Sequence, residues 1–149
     1  MIKYIKNDLF LAPNKLIAHG VNCQGAFGSG VAGIMAQKYP MVRNEYLHKY
    51  KNTGWKLGEI QIIQAHDKII VNCATQYYYG YNNSKDEVYA NYWAIEQCMK
   101  KLAIYAQEND LIPAIPKIGA GLAGGSWIRI SDIINDAFKD HEIHVYHLD

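Results

Sequence analysis

The spacing of apolar residues changes several times along this chain, and each change marks an element. Residues 1–5 alternate, with Ile2 and Tyr4 apolar, which predicts a short strand broken by Asn7-Asp8. Residues 15–20 are nearly all apolar, the pattern of a central strand covered on both faces. A glycine-rich stretch follows, and a helix is predicted to run from it to about Tyr39. Pro40 then opens a second helical piece with Val42, Tyr46, Leu47 and Tyr50 on one face, ended by Asn52-Thr53-Gly54. Residues 57–64 and 68–74 read as two strands of a hairpin turning at Ala65-His66-Asp67. Ser84 with Glu87 three residues on forms a capping box. From there Val88, Tyr92, Ile95, Met99, Leu102 and Ala106 make one apolar stripe on a long helix ending near Asn109. Residues 111–115 predict another strand. Ser126 or Trp127 then opens a helix that buries Ile130, Ile133, Ile134, Ala137 and Phe138. Residues 142–148, with Ile143, Val145 and Tyr146, close the chain as a last strand. Strands alternating with helices, plus one hairpin, predict a three-layer α/β/α sandwich around a mixed, mostly parallel sheet of about six strands.

Composition narrows the function. The 149 residues are 50% apolar and 19% charged, which fits one globular domain over residues 1–149. The net charge is +1 without a Lys/Arg cluster, so no direct duplex nucleic-acid binding is expected. Cys23, Cys73 and Cys98 are odd in number, widely spaced and outside any CxxC, so neither a zinc site nor a disulfide framework is indicated. Free thiols and the lack of a signal peptide point to the cytoplasm. No apolar run approaches the ~20 residues of a membrane span, so no membrane partner is expected. Among the 12 tyrosines, Tyr77, Tyr78, Tyr79 and Tyr81 cluster in a predicted loop, where they either line a substrate or pack on the surface.

Two stretches carry candidate chemistry. His19-Gly20-Val21-Asn22 ends the central strand and runs into Gly25-Ala26-Phe27-Gly28-Ser29-Gly30-Val31 at a helix start. Pro116-Lys117-Ile118-Gly119-Ala120-Gly121-Leu122-Ala123-Gly124 follows the strand at 111–115. A glycine loop that joins a strand to a helix N-terminus lets the backbone come close to a phosphate and aims unpaired N–H groups at it. Two such loops facing each other would hold a diphosphate. Each loop contains G-x-G-x-x-G, but Asn22 to Phe27 intervene after the strand and the later acid Glu45 lies within a helix, which disfavours a nicotinamide dehydrogenase. No GxxxxGK[ST] and no HExxH is present.

Asn7-Asp8-Leu9 after the first strand, the His19–Asn22 strand end with its loop to Tyr39-Pro40, and the Pro116–Gly121 loop with Trp127 beyond it, together resemble the macrodomain family over essentially the whole chain. The likeness is strongest to the small branch of ADP-ribose-1″-phosphate phosphatases and terminal ADP-ribose–glutamate hydrolases. The resemblance implies a macrodomain fold and ADP-ribose or ADP-ribose-1″-phosphate as small-molecule partner. ADP-ribosylated macromolecules are an alternative partner, and no metal or cofactor is implied. It places Asp8 on the adenine amine, with the Leu9 N–H on a ring nitrogen. Asn22 falls on the distal ribose, where an amide can donate and accept at once. Gly28, Ser29, Gly30 and Val31 fall on one phosphate, while Ile118, Gly119, Ala120, Gly121 and Leu122 wrap the other. Tyr146 falls near the adenine, and Thr75 on a phosphate oxygen. His19 and Asn22 are the catalytic candidates, with His19 as base or proton donor for hydrolysis of the 1″-phosphate. The glutamate hydrolases of this branch carry a lysine and an acid where this chain has Gln76 and Ala123, so their lysine chemistry is not expected here. That leaves phosphatase activity as the expected function. A non-catalytic ADP-ribose reader and a mono-ADP-ribosyl hydrolase are the alternatives.

Overall fold

Each strand's alternation sends its side chains to two opposite faces, and the helices cover both. The computed structural model describes residues 1–78, 89–121 and 123–149. The strands are β1 (Ile2–Lys6), β2 (Leu16–Asn22), β3 (Ile60–Ala65), β4 (Lys68–Gln76), β5 (Ala114–Ile115) and β6 (Ile143–His147). The helices are α1 (Gly30–Lys38), α2 (Pro40–Asn52), α3 (Tyr92–Glu108) and α4 (Trp127–Ala137). The strands form one sheet in the order β1-β6-β5-β2-β4-β3. All neighbours are parallel except the β3–β4 hairpin. This is the predicted mixed α/β architecture.

The two cores follow from β2 itself. Leu16 and Ala18 point to the side where Ile95, Met99 and Leu102 of α3 and Ile130 and Ile134 of α4 pack. Ile17 and Val21 point to the other side, against Met35 of α1 and Val42 and Tyr46 of α2. Apolar burial on both faces is what a central parallel strand requires. On α2 the predicted face divides: Val42 and Tyr46 are fully buried, whereas Tyr50 is 41% exposed.

Four boundaries differ from the periodicity, each for a local reason. β2 continues past Gly20 to Asn22, with a register irregularity against β4 between Val21 and Asn22. β3 starts at Ile60 rather than residue 57, because Gly58 has a positive φ of 88°. β5 shrinks to two residues: Pro113 has no N–H to give a ladder, and Leu111 N–H closes the end of α3 on Ala106 O instead. α3 begins at Tyr92 rather than at Ser84, because Ala90 bridges Gln76 and Asn91 is extended, its side chain capping the helix by accepting from Ala94 N–H at 2.9 Å. Ser84, Glu87 and Val88 lie outside the described residues, as do Tyr79 and Tyr81. At α4 the Ser126 side chain caps Arg129 N–H, as expected of its position.

Replacing Asn91 with Ala removes the only side-chain cap seen at the described start of α3. It should lower stability by about 1 kcal/mol in urea unfolding. An unchanged midpoint would show that the helix does not depend on this cap.

Candidate functional site

β2 and β5 are adjacent and parallel, with Ile17 paired to Ala114, so the segments leaving their C-terminal ends emerge side by side. Between them lies a cleft of about 320 Å³. One wall is Ala26, Gly28, Ser29, Gly30, Val31 and Ala32. The opposite wall is Pro116, Lys117, Ile118, Gly119, Gly121 and Ala123, and the floor is Gly20, Val21, Asn22, Thr75 and Gln76. A cleft of this size suits a small ligand.

The walls present backbone donors. Gly30, Val31 and Ala32 form the first turn of α1, whose N–H groups have no intrahelical acceptor, and Ser29 makes no side-chain cap bond. The first donor closed internally is Gly33 N–H, on Ser29 O. Across the cleft, Gly119 and Gly121 N–H have no backbone partner among the described residues. Gly119 sits at φ +77°, and a Cβ there would come within 2.9 Å of Ile95 Cδ1, so only glycine fits this turn. No Asp or Glu lines the cleft among the described residues, and Lys117 is the cation there. The arrangement suits an anion.

Asn22 stands on the floor, nearly buried, with most of its amide committed to the loop. Its Oδ1 accepts from Gln24 N–H at 2.9 Å, Ala26 N–H at 3.3 Å and the Tyr46 hydroxyl at 2.9 Å. Its Nδ2 donates to Ala26 O at 2.6 Å. Cys23 beside it is buried, and burial with Glu59 and Cys98 nearby pushes its thiol up to about 11, so it is no nucleophile at neutral pH.

His19 is not on the cleft wall. Its neighbour Gly20 is, but the imidazole points into the α1–α2 side of the sheet and has no solvent exposure. Nε2–H donates to Asn72 Oδ1 at 2.5 Å, and Asn72 Nδ2 donates in turn to Gln61 Oε1 at 3.0 Å. The ring meets Phe27 edge-on, with centroids 5.6 Å apart, and Nδ1 has no partner among the described residues. Burial lowers the imidazole pKa from 6.5 to about 4, against the opposing bond to Asn72. The group is neutral and dry at physiological pH, so this geometry does not provide proton exchange with a substrate in the cleft. A buried side chain at a strand end looks in sequence just like one that points outward.

The other candidates divide. Gly28, Ser29, Gly30, Val31, Thr75, Ile118, Gly119 and Gly121 line the cleft. Ala120 does not: its N–H closes a turn on Lys117 O, and its side chain packs on the α3–α4 core. Ile118 contributes its side chain only, since its N–H bonds Pro116 O at 2.7 Å. Leu122 lies outside the described residues. Asp8 and Leu9 sit beyond the cleft after β1, where Asp8 Oδ1 caps a 3₁₀ turn (Leu9–Leu11) by accepting from Phe10 N–H at 3.0 Å. Tyr146 is buried in the α1–α2 core, with its hydroxyl 3.4 Å from Asn14 Oδ1, rather than standing open to a base. Sequence reasoning assigned no role to Lys117 or Tyr46. The Pro116-Lys117 pair at a strand end was a readable sign for the first; nothing in the helical spacing of α2 announced the second.

A family model described as Macro domain matches residues 18–134, from the body of β2 into α4. The chain belongs to the Macro domain family. Among relatives of this macrodomain, an ADP-ribose 1″-phosphate phosphatase of Candida albicans is 31% identical, with 98% of this chain and 99% of that protein covered. The human ADP-ribose glycohydrolase OARD1 is 29% identical, covering 99% and 91%. Among solved structures, the macrodomain of Thermus aquaticus DarG superposes with a TM-score of 0.83 over 98% of its own chain and 99% of this one, at 23% identity, a likeness of fold. The cleft therefore lies in a macrodomain fold, at the C-terminal ends of its parallel strands.

The dry His19 makes this macrodomain acid-sensitive. The unfolded chain takes up a proton near pH 6.5, whereas the folded chain resists until about pH 4. The contribution is therefore fully present above pH 6.5 and is lost as pH falls through that window, by roughly 1.4 kcal/mol per pH unit. Urea unfolding at stepped pH should show this slope, and His19→Gln should flatten it between pH 6 and pH 5. Equal slopes in the two proteins would put the proton elsewhere.

Proposed function

We propose that this macrodomain binds ADP-ribose and ADP-ribose-1″-phosphate and hydrolyses the latter to ADP-ribose and phosphate. The observation that carries the reading is the pair of facing loops, which among the described residues offer unpaired backbone N–H groups across a cleft without carboxylates. A diphosphate spanning the cleft would receive donors from Gly30, Val31 and Ala32 on one side and from Gly119 and Gly121 on the other. The adenosine would then extend over the ends of β6 and β1. There the second oxygen of Asp8 suits the exocyclic amine, and Leu9 N–H suits a ring nitrogen. The distal ribose would reach Asn22 and Thr75.

In this reading a water oxygen attacks the phosphorus, the bond from phosphorus to the anomeric oxygen breaks, and that oxygen takes a proton. The protein's part is to orient the group and stabilise charge on the phosphoryl oxygens through fixed N–H donors. The names carried by the yeast and human relatives span phosphatase and glycohydrolase chemistry. Glycohydrolysis through a lysine adduct is disfavoured here: Gln76 donates from Nε2 to Tyr78 O, and Ala123 has no proton to exchange. A reader without turnover is the second reading. It is favoured by a lining that holds no His, Asp or Glu among the described residues.

A thermal melt with ADP-ribose, using AMP and NAD as controls, tests binding. A hundredfold excess over the dissociation constant should add about 2.7 kcal/mol of stability, and no shift would reject the diphosphate site. Release of inorganic phosphate from ADP-ribose-1″-phosphate separates phosphatase from reader. Gly121→Leu should abolish the shift with the fold intact, because a Cβ there meets nothing within 4 Å and the side chain would enter the cleft. Asp8→Ala should weaken ADP-ribose by about 1–3 kcal/mol, the scale of a hydrogen bond to a charged group. Unchanged affinity on titration would move the adenine away from β1.

A further inference from the structure

Tyr46 is the one α2 side chain that reaches the loop between β2 and α1 with a polar group, and it does so from full burial. Its ring is wedged between Phe27, at 5.0 Å between centroids, and Trp55, at 5.3 Å. Trp55 Nε1–H also donates to Tyr46 O at 3.1 Å. The phenol thus has a fixed position. Its oxygen accepts from Gly25 N–H at 3.1 Å, and its one proton lies between Asn22 O at 2.7 Å and Asn22 Oδ1 at 2.9 Å. Burial pushes the phenol well above its ordinary pKa, so that proton stays on at any working pH. Gly25 donates from a backbone at φ +80°, where a Cβ would come within 2.7 Å of the Tyr50 ring.

The effect on Asn22 is chemical. Its Oδ1 accepts from Gln24 N–H and Ala26 N–H, which take up its two lone pairs, and it shares the phenol's one proton with Asn22 O. One Nδ2 hydrogen goes to Ala26 O. The second Nδ2 hydrogen has no partner among the described residues, and Asn22 lines the cleft. Sequence reasoning expected an amide that donates and accepts at once; the folded amide can only donate to a ligand.

We propose that Tyr46 is a positioning residue that commits Asn22 to donation, so that the ligand group seated there must offer an oxygen acceptor. This rests on the ADP-ribose reading of the cleft, in which that group belongs to the distal ribose or its 1″-phosphate. An amide free to rotate would accept a hydroxyl proton as readily as donate. A locked one selects for oxygens presented lone pair first.

The test is titration calorimetry with ADP-ribose and with ADP, which lacks the distal ribose. Tyr46→Phe should weaken ADP-ribose by about five- to thirtyfold and leave ADP within about twofold. In an Asn22→Ala background the same substitution should have no further effect, since distant, independent groups add but a residue acting through another does not. Equal loss for both ligands would make Tyr46 a general support of the fold, and additive losses would show that it does not act through Asn22; either overturns the proposal. Unchanged ADP-ribose affinity in Tyr46→Phe overturns it too. By contrast, unsubstituted protein that binds no ADP-ribose overturns the reading of the cleft instead. If Tyr46→Phe does not fold, the side-chain amide of Asn22 is followed by nitrogen-15 NMR in the unsubstituted protein. One of its two protons should shift with saturating ADP-ribose and neither with ADP. Both shifting with ADP-ribose, or neither while backbone signals of the loops move, would refute a donor-only amide.

Discussion

The parallel placement of β2 beside β5 is the constraint on which the rest of the molecule depends. Parallel neighbours end on the same side of a sheet, so whatever follows them must share one rim. Here both strands release glycine-rich backbone there, and this backbone forms the two walls of the cleft. Covering helices then have to bury each face of β2 completely, which accounts for its apolar run. The register irregularity between Val21 and Asn22 lies where the strand both pairs with β4 and floors the cleft.

Most of the architecture could be read from period alone. α4 and β6 fall within a residue or two of their expected bounds because Ile130, Ile134, Ile143 and Val145 repeat at unambiguous spacing. The misplacements share a cause: backbone chemistry overrides side-chain pattern. Leu111 and Ile112 are apolar enough for a strand, but Pro113 interrupts the ladder. Leu57 looks like the start of a strand, but Gly58 turns the chain left-handed. The cleft loops were legible because glycine, unlike leucine, tells the reader what the backbone does.

Side-chain direction at a strand end was not legible. His19 and Gly20 are adjacent in sequence, yet one faces a dry core and the other the ligand side, a difference of one step in a period of two. A polar identity suggested solvent, whereas the imidazole found Asn72 within the sheet. Asn22 looked like a binding residue and is also the knot of its own loop, a double use visible only once Tyr46 arrives from a helix far along the chain.

β1 adds a consequence in time. Among the described residues its only strand neighbour is β6, with Ile2 set against Ile143 and Lys6 against His147, so β1 bonds the strand farthest from it in sequence. During synthesis β1 has no ladder to join until β6 has been made. The β2–β4–β3 segment can pair early, while closure over β5, β6 and β1 waits on contacts of the longest sequence separation, the slowest kind to form. The rim that carries Asp8 is therefore held in place only after β6 has arrived beside β1.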